Sequence, residues 1–238
     1  MISRIYAYDT LNSTNDLAKK KASELKSGDI VWALVQTNGH GKNAKSWYSP
    51  KGGLWFSIIF KPQRLPKDPN IYTKMASVAV VNVLKKFKIK GVGVKWPNDI
   101  YYGKKKLGGI LTEIMSYNKE HTVIVGVGLN VMNDLPDELQ NATSLLEITG
   151  ERISVCQLLK RISSEIKRLY NFITSGKRNV ITNLWRNAVI TKRGTTVKVV
   201  ENGGKSYHAT VIRVLSNSLI VEHDGVRERV QPSEIFLD

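Results

Sequence analysis

The chain has 238 residues, 42% hydrophobic and 24% charged, proportions that support a packed globular core and exclude a disordered or fibrous chain. The 36 Lys and Arg against 20 Asp and Glu give a formal charge of +16, a balance that favours polyanionic partners such as nucleotides or acidic protein surfaces. The longest nearly apolar stretch, 75–84, carries Ser77 and Asn82 and falls short of the roughly 20 apolar residues that a membrane span needs.

Residues 3–8 read as a short strand. Ser13 then N-caps a helix expected to reach about Lys26, with Asp16 in the capping-box position. Gly28 ends that helix, and 30–35 is a continuous apolar run, as in a buried strand. Residues 37–53 lack periodicity and are rich in Gly, Asn, Lys and Ser; a loop this long inside a compact domain is usually functional. Strand returns at 54–60. Pro62, Pro66 and Pro69 enforce a connection, and 71 to about 88 reads as a helix.

The pattern then becomes antiparallel, with strands at 92–96, 100–102, 107–116 and 122–129 and turns at Gly103-Lys104-Lys105 and Tyr117-Asn118-Lys119. Ser154 caps a helix whose apolar face runs Val155, Leu158, Leu159, Ile162, Ile166, Leu169, Tyr170 and Ile173, with Gln157 completing its capping box. A further helix spans about 179–187. From Thr195 the texture changes to short strands at 196–200, 206–214, 218–222 and 227–230, which suggests a small SH3-like barrel. The expected fold class is α+β, a mixed sheet flanked by helices, with domains at 1–187 and 188–238. Cys156 is the only cysteine, so no intrachain disulfide forms. It is expected to be a buried, inert thiol, and the absence of a secretory h-region at residues 1–6 makes a cytoplasmic location the natural reading.

Several segments can carry chemistry. In Gly39-His40-Gly41-Lys42-Asn43-Ala44-Lys45 the glycines let backbone approach a ligand closely, and Lys42 and Lys45 place charge where phosphates would sit. A flexible basic turn would look the same. Trp47 is either a core plug or a platform for a planar ring. In Lys95-Trp96-Pro97-Asn98-Asp99, Pro97 marks a sheet margin, and Asp99 stands among lysines that would hold it ionised, able to bind a metal ion or accept a proton. An Asx-turn with an incidental salt bridge is the plainer explanation. Gly108 and Gly109 begin one strand and Gly126 and Gly128 end the next, two smooth patches suited to a flat apolar ligand or to tight packing. His40, His121, His208 and His223 are too scattered for a zinc site.

Taken in order, Ser13-Thr14-Asn15, Gln36, the 39–47 loop, Gly52-Gly53-Leu54, the 95–99 motif, 106–111 with Glu113, and 126–130 resemble the catalytic core of biotin–protein ligases. The resemblance covers residues 1 to about 187 and implies a fold shared with lipoate ligases. It implies ATP-dependent conversion of biotin to biotinyl-5′-adenylate, with Mg²⁺, followed by transfer to a lysine of a biotin carboxyl carrier domain.

By that resemblance Ser13, Thr14, Asn15 and Gln36 meet the biotin ring, with Gly39, His40, Gly41, Gly108 and Gly109 around it. Lys106 touches the carboxyl or α-phosphate oxygens. Lys42, Lys45, Trp47, Asn98 and Asn130 form the nucleotide pocket, Trp47 stacking on adenine. Lys42, Asp99 and Lys106 are the expected catalytic residues, and Asp99 the expected metal ligand.

Two departures stand out. The family loop usually reads Gly-Arg-Gly-Arg-x-x-Arg, whereas His40, Lys42 and Lys45 stand here, supplying charge without the planar fork of arginine. Ser13-Thr14-Asn15 also begins near the first residue, so a DNA-binding domain and operator binding are not expected, and an acidic carrier domain is the simpler partner for the charge. A homodimer is implied by resemblance alone. Lipoate or octanoate transfer is the near alternative, and nucleic-acid binding by the small domain the distant one.

Overall fold

The computed structural model describes residues 3–118, 120–200, 205–215, 218–231 and 235–237. Strands β1 (Ile5–Leu11), β2 (Ile30–Gln36), β3 (Leu54–Phe60), β4 (Val92–Lys95), β5 (Asp99–Tyr102), β6 (Lys105–Tyr117) and β7 (Glu120–Leu129) form one sheet in the order β1-β2-β3-β7-β6-β5-β4. β1 and β2 run parallel; every other neighbour is antiparallel. The sheet is mixed and flanked by helices, as the sequence predicts.

Alternation along the central strands divides labour between the two faces. In β3 all seven residues are buried. Leu54, Phe56, Ile58 and Phe60 enter the main core with α2 (Ile71–Lys86), α4 (Val155–Thr174) and α5 (Arg178–Ala188), together with Val123, Val125, Val127 and Leu129 of β7. Ile59 points the other way and joins Val31, Ile124, Leu25 and Ala18 of α1 (Thr14–Lys20). Glu165 of α4, 6% exposed, ties two helices together. It takes two hydrogen bonds from Arg168 at 2.9 and 2.8 Å and one from Asn82 Nδ2 of α2 at 3.0 Å. The Arg168 hydrogen bonds, acting against burial, hold the Glu165 carboxyl down at about 2.

The second sheet comprises β8 (Thr196–Val200), β9 (Ser206–Val214), β10 (Leu219–His223), β11 (Val226–Val230) and β12 (Ile235–Leu237), antiparallel in the order β11-β10-β9-β8-β12. This is the small all-β unit expected from the sequence as an SH3-like barrel, and it is not closed. Among the described residues no ladder joins β11 to β12, so this is an open five-stranded sheet, its fifth strand lying beyond those expected. Val197, Val199, Val211, Leu219 and Val221 belong to the same apolar cluster as the main core. Ile190 N donates to Val94 O at 2.9 Å, and Trp96 Nε1 to Leu215 O at 3.3 Å.

Three further expectations need correction. The first helix stops at Lys20 rather than Lys26, because the chain turns back to bury Leu25 beside Ala18 and Val31; packing overrides the local helical pattern. Cys156 is exposed. It sits one residue, about 100° of helix, past Val155 and so off the stripe formed by Leu158, Leu159 and Ile162. A short helix, α3 (Leu145–Thr149), capped by Ser144 and ended by Gly150 at φ 70°, lies in a stretch with no expected element. Among the described residues no helix is long and apolar enough to cross a membrane.

Candidate active site

Residues opposite one another in a ladder share a face. The register Lys95↔Asp99, Asp99↔Gly109, Gly109↔Gly128 and Gly128↔Trp55 lays one row across the sheet, on the side away from α2. The neighbouring rows are Leu111–Gly126–Ser57 and Glu113–Ile124–Ile59. The glycines leave a smooth floor that α1 and the 39–47 loop approach. A Cβ on Gly126 would stand 2.4 Å from Asn15 Oδ1, and one on Gly128 2.6 Å from Trp47 Nε1.

Over this floor opens a cavity of about 570 Å³ lined by Ser13, Thr14, Asn15 and Gln36 at one end and by Lys42, Lys45, Lys95, Asp99 and Lys106 at the other. His40, Gly41, Trp47, Asn98, Gly109 and Asn130 line it as well. The structure thus gathers nearly all the residues singled out in the sequence. Gly39 and Gly108 stand apart. A Cβ on Gly39 would stand 2.6 Å from both Ser49 Oγ and Trp47 O, and one on Gly108 2.6 Å from Gly128 O, so both glycines permit close packing of the chain on itself.

The uncharged end is tightly ordered. Gln36 Oε1 accepts from Thr14 N at 2.8 Å, and Gln36 Nε2 donates to Ser49 Oγ at 2.9 Å. Ser13 N-caps α1, its Oγ accepting from Asp16 N at 3.3 Å. Asn15 is committed to the protein: its Nδ2 donates to Glu113 Oε2 at 2.8 Å and its Oδ1 meets Ser57 Oγ at 2.5 Å. Asn98 and Asn130 are also engaged, their Nδ2 groups donating to Ile110 O at 2.7 Å and Thr143 O at 3.1 Å. All three asparagines hold the walls in place.

The charged end is looser. Lys106 Nζ pairs with Asp99 Oδ1 at 2.9 Å and lies 5.1 Å from the centre of the Trp47 ring. Lys95 Nζ lies 3.3 Å from Tyr101 Oη and 4.7 Å above its ring. Burial lowers the Lys95 pKa, opposed by Asp99 and assisted by Lys106; burial, with Asp99 nearby, pushes Tyr101 up to about 12. Lys42 and Lys45 are exposed on the loop. Four lysines therefore face one carboxylate among the described lining residues, an arrangement that attracts a polyanion. Trp47, half-buried, covers the glycine floor, edge-on to Trp55 with centroids 6.4 Å apart.

Asp99 offers one carboxylate to the cavity. Its carboxylate is paired with Lys106, and among the described residues no group of three or more His, Cys, Asp or Glu could hold an ion.

The sequence reading left Ser57, Ser49 and Lys95 out of the expected site, and gave Glu113 no role. Ser57 carried a usable signal, being a lone hydroxyl within the apolar run Leu-Trp-Phe-Ser-Ile-Ile-Phe. Ser49 and Glu113 carried none, since their partners lie 13 and 98 residues away.

Residues 7–130 match the model of the biotin/lipoate A/B protein ligase family. The chain is 37% identical over 178 residues to the bifunctional ligase/repressor BirA of Bacillus subtilis, covering 71% of this chain and 54% of that protein. It is 34% identical over 137 residues to biotin–protein ligase 2 of Arabidopsis thaliana, covering 56% and 42%. The chain spans about half the length of the curated relatives it matches. Among solved structures, the biotin protein ligase of Aquifex aeolicus in complex with biotin and ATP superposes with a TM-score of 0.83 at 22% identity, covering 99% of this chain and 98% of that one. The Leishmania major biotin protein ligase in complex with biotinyl-5-AMP superposes at 0.63 and 24% identity, covering 96% and 98%.

Proposed function

Since this chain belongs to the biotin/lipoate A/B protein ligase family, we propose that it joins biotin to ATP as biotinyl-5′-adenylate and passes the biotinyl group to a lysine of a carrier domain. The observation that carries this reading is the cavity's polarity. A fixed, uncharged hydrogen-bonding group at Ser13, Thr14 and Gln36 and four lysines line the same cavity, together with Gly109, Gly126, Gly128 and the Trp47 ring. A ligand with a neutral polar head, an apolar body and an anionic tail matches that lining. Biotin does; lipoate, whose dithiolane head has no N–H or carbonyl, leaves the polar end unmatched, which costs affinity.

In the first step a biotin carboxylate oxygen attacks the α-phosphorus, the bond to the β-phosphate oxygen breaks, and pyrophosphate leaves. Charge accumulates on phosphate oxygens, and Lys106 and Lys42 are the cations we assign to it; preorganised charge of this kind is commonly the largest catalytic contribution. Lys45, Lys95 and the Trp47 ring complete the nucleotide side. Mg²⁺ enters as part of the nucleotide substrate, carried by its phosphates. In the second step a deprotonated carrier lysine attacks the acyl carbonyl and AMP departs with the bonding pair. Once Lys106 turns to the phosphate, Asp99 is released to orient that lysine and take its proton.

The partner we assign is a biotin carboxyl carrier domain, acidic enough to complement the +16 chain. A cytoplasmic setting, a homodimer, and a division into a catalytic unit at 1–187 and a small domain at 188–238 belong to the same reading. The test supplies biotin, ATP and Mg²⁺ with a carrier domain and follows lysine biotinylation by mass. Asp99→Ala and Lys106→Ala should suppress it; full activity in both would sink the assignment.

A further inference from the structure

The uncharged end of the cavity is backed by two side chains that do not line it, Ser57 and Glu113. Ser57 is wholly buried. Glu113 sits one row beyond Leu111 on the same sheet face, taking Asn15 Nδ2 on Oε2 at 2.8 Å and Lys19 Nζ on Oε1 at 3.0 Å. Lys19 also reaches Asp16 at 2.9 Å. Burial pulls the Lys19 pKa down, but the hydrogen bonds to Asp16 and Glu113 outweigh it and leave the pKa raised.

A carboxylate can accept but not donate, so Glu113 fixes which end of the Asn15 amide faces which way. The NH₂ points to Glu113 and the carbonyl oxygen to Ser57. Three oxygen–oxygen contacts then run in series: Asn15 Oδ1 to Ser57 Oγ at 2.5 Å, Ser57 Oγ to Thr14 Oγ1 at 2.8 Å, and Thr14 Oγ1 to Gln36 Oε1 at 3.1 Å. Only two hydroxyl protons, those of Ser57 and Thr14, are available for them. Hydroxyl protons follow the network. Asn15 Oδ1 has none to give, so the shortest contact takes the Ser57 proton and the next takes the Thr14 proton. The longest contact, which Thr14 Oγ1 would otherwise donate to Gln36 Oε1, is on this proton order left with two acceptor oxygens facing each other at the cavity wall. The Gln36 amide cannot relieve this by turning, because its Nε2 is held by Ser49.

We propose that Glu113, acting through Asn15 and Ser57, is a positioning residue that sets the proton direction of the cavity wall, so that Thr14 and Gln36 together present an acceptor pair selecting a ligand N–H. This rests on the reading that biotin is the ligand, whose ureido ring carries two N–H donors. Glu113→Gln removes the constraint, since glutamine can accept from or donate to Asn15. The amide can then turn its NH₂ toward Ser57. Ser57 passes its proton to Thr14, Thr14 passes its own to Gln36, and the acceptor pair is quenched.

The test measures binding by calorimetry with two kinds of probe: biotin, and the two carbamate isomers in which one ureido N–H is replaced by oxygen. Wild type should prefer biotin over at least one isomer by about tenfold or more, the usual consequence of leaving one site acceptor unmatched. Glu113→Gln should lose about tenfold in biotin affinity and little for that isomer, so the preference collapses. Ser57→Ala, which removes the middle link, should collapse it too. The exchanged pair Asn15→Asp with Glu113→Gln should restore it, because an aspartate oxygen again accepts from Ser57 while the glutamine amide, now on β6, donates to the aspartate. A residue acting only on stability would lower both affinities together. Retention of the wild-type preference in Glu113→Gln and Ser57→Ala, or no rescue by the exchange, would overturn the inference. Wild type failing to bind biotin at all would instead overturn the proposed function on which it rests.

Discussion

The two faces of the seven-stranded sheet are made by the same strands and could hardly differ more. On the helix face, Phe56, Ile58, Val125 and Val127 are packed beneath α2 and α4. On the other, the intervening positions are Trp55, Ser57, Gly126 and Gly128, of which the two glycines line a cavity edged with lysines. A period of two thus writes stability on one side and recognition on the other. Substitutions on the helix face should move stability, and those on the cavity face should move activity.

The largest effect should come from the helix face. Phe56→Ala is expected to destabilise the protein by about 3–5 kcal/mol through lost burial and a cavity, read by denaturant unfolding; a shift below about 1 kcal/mol would break the comparison. Across the sheet, Lys106→Ala should slow adenylate formation about a hundredfold or more while unfolding near the wild-type denaturant midpoint. Gln36→Leu should weaken biotin binding about tenfold to a hundredfold, with a smaller loss of stability than Phe56→Ala.

A pH titration sharpens the contrast. The Glu165 carboxyl on the helix side has a pKa of about 2, below the ordinary 4.5. Its stabilisation is fully present above about 4.5 and drains away as pH falls toward 2, since the unfolded state binds its proton first. Glu165→Gln should remove that part of the acid sensitivity, of order 2 kcal/mol, between those limits. An unchanged acid-unfolding slope would contradict the ion-pair account. The smallest effect belongs to the loop: Lys42→Arg, which supplies a bidentate fork, should slow adenylate escape several-fold, and unchanged release would remove the significance attached to the lysine loop.

Much of this was legible in the sequence because it is local. The strand at 54–60 follows from a seven-residue apolar run interrupted by one serine, and the caps at Ser13 and Ser154 follow from residues three positions apart. The glycines of adjacent strands announced a close approach of other groups to the sheet, which Asn15 and Trp47 make. Pairings across the fold were not legible. Glu113 meets Asn15 only when β6 is laid beside α1, and Asp99 meets Lys106 because the β5–β6 turn brings them face to face. Cys156 was misplaced by a single helical step, and the fifth strand of the small sheet was missed because three residues are too few to show a period.

The claim at the centre is that the cavity reads a cyclic urea at one end and an activated carboxylate at the other. Exchange of labelled pyrophosphate into ATP, measured with biotin, lipoate and octanoate in turn, tests it most directly. Exchange that depends on biotin, is negligible with the other two acids, and is lost in Lys106→Ala is the predicted result. Lipoate or octanoate supporting exchange as well as biotin would contradict it.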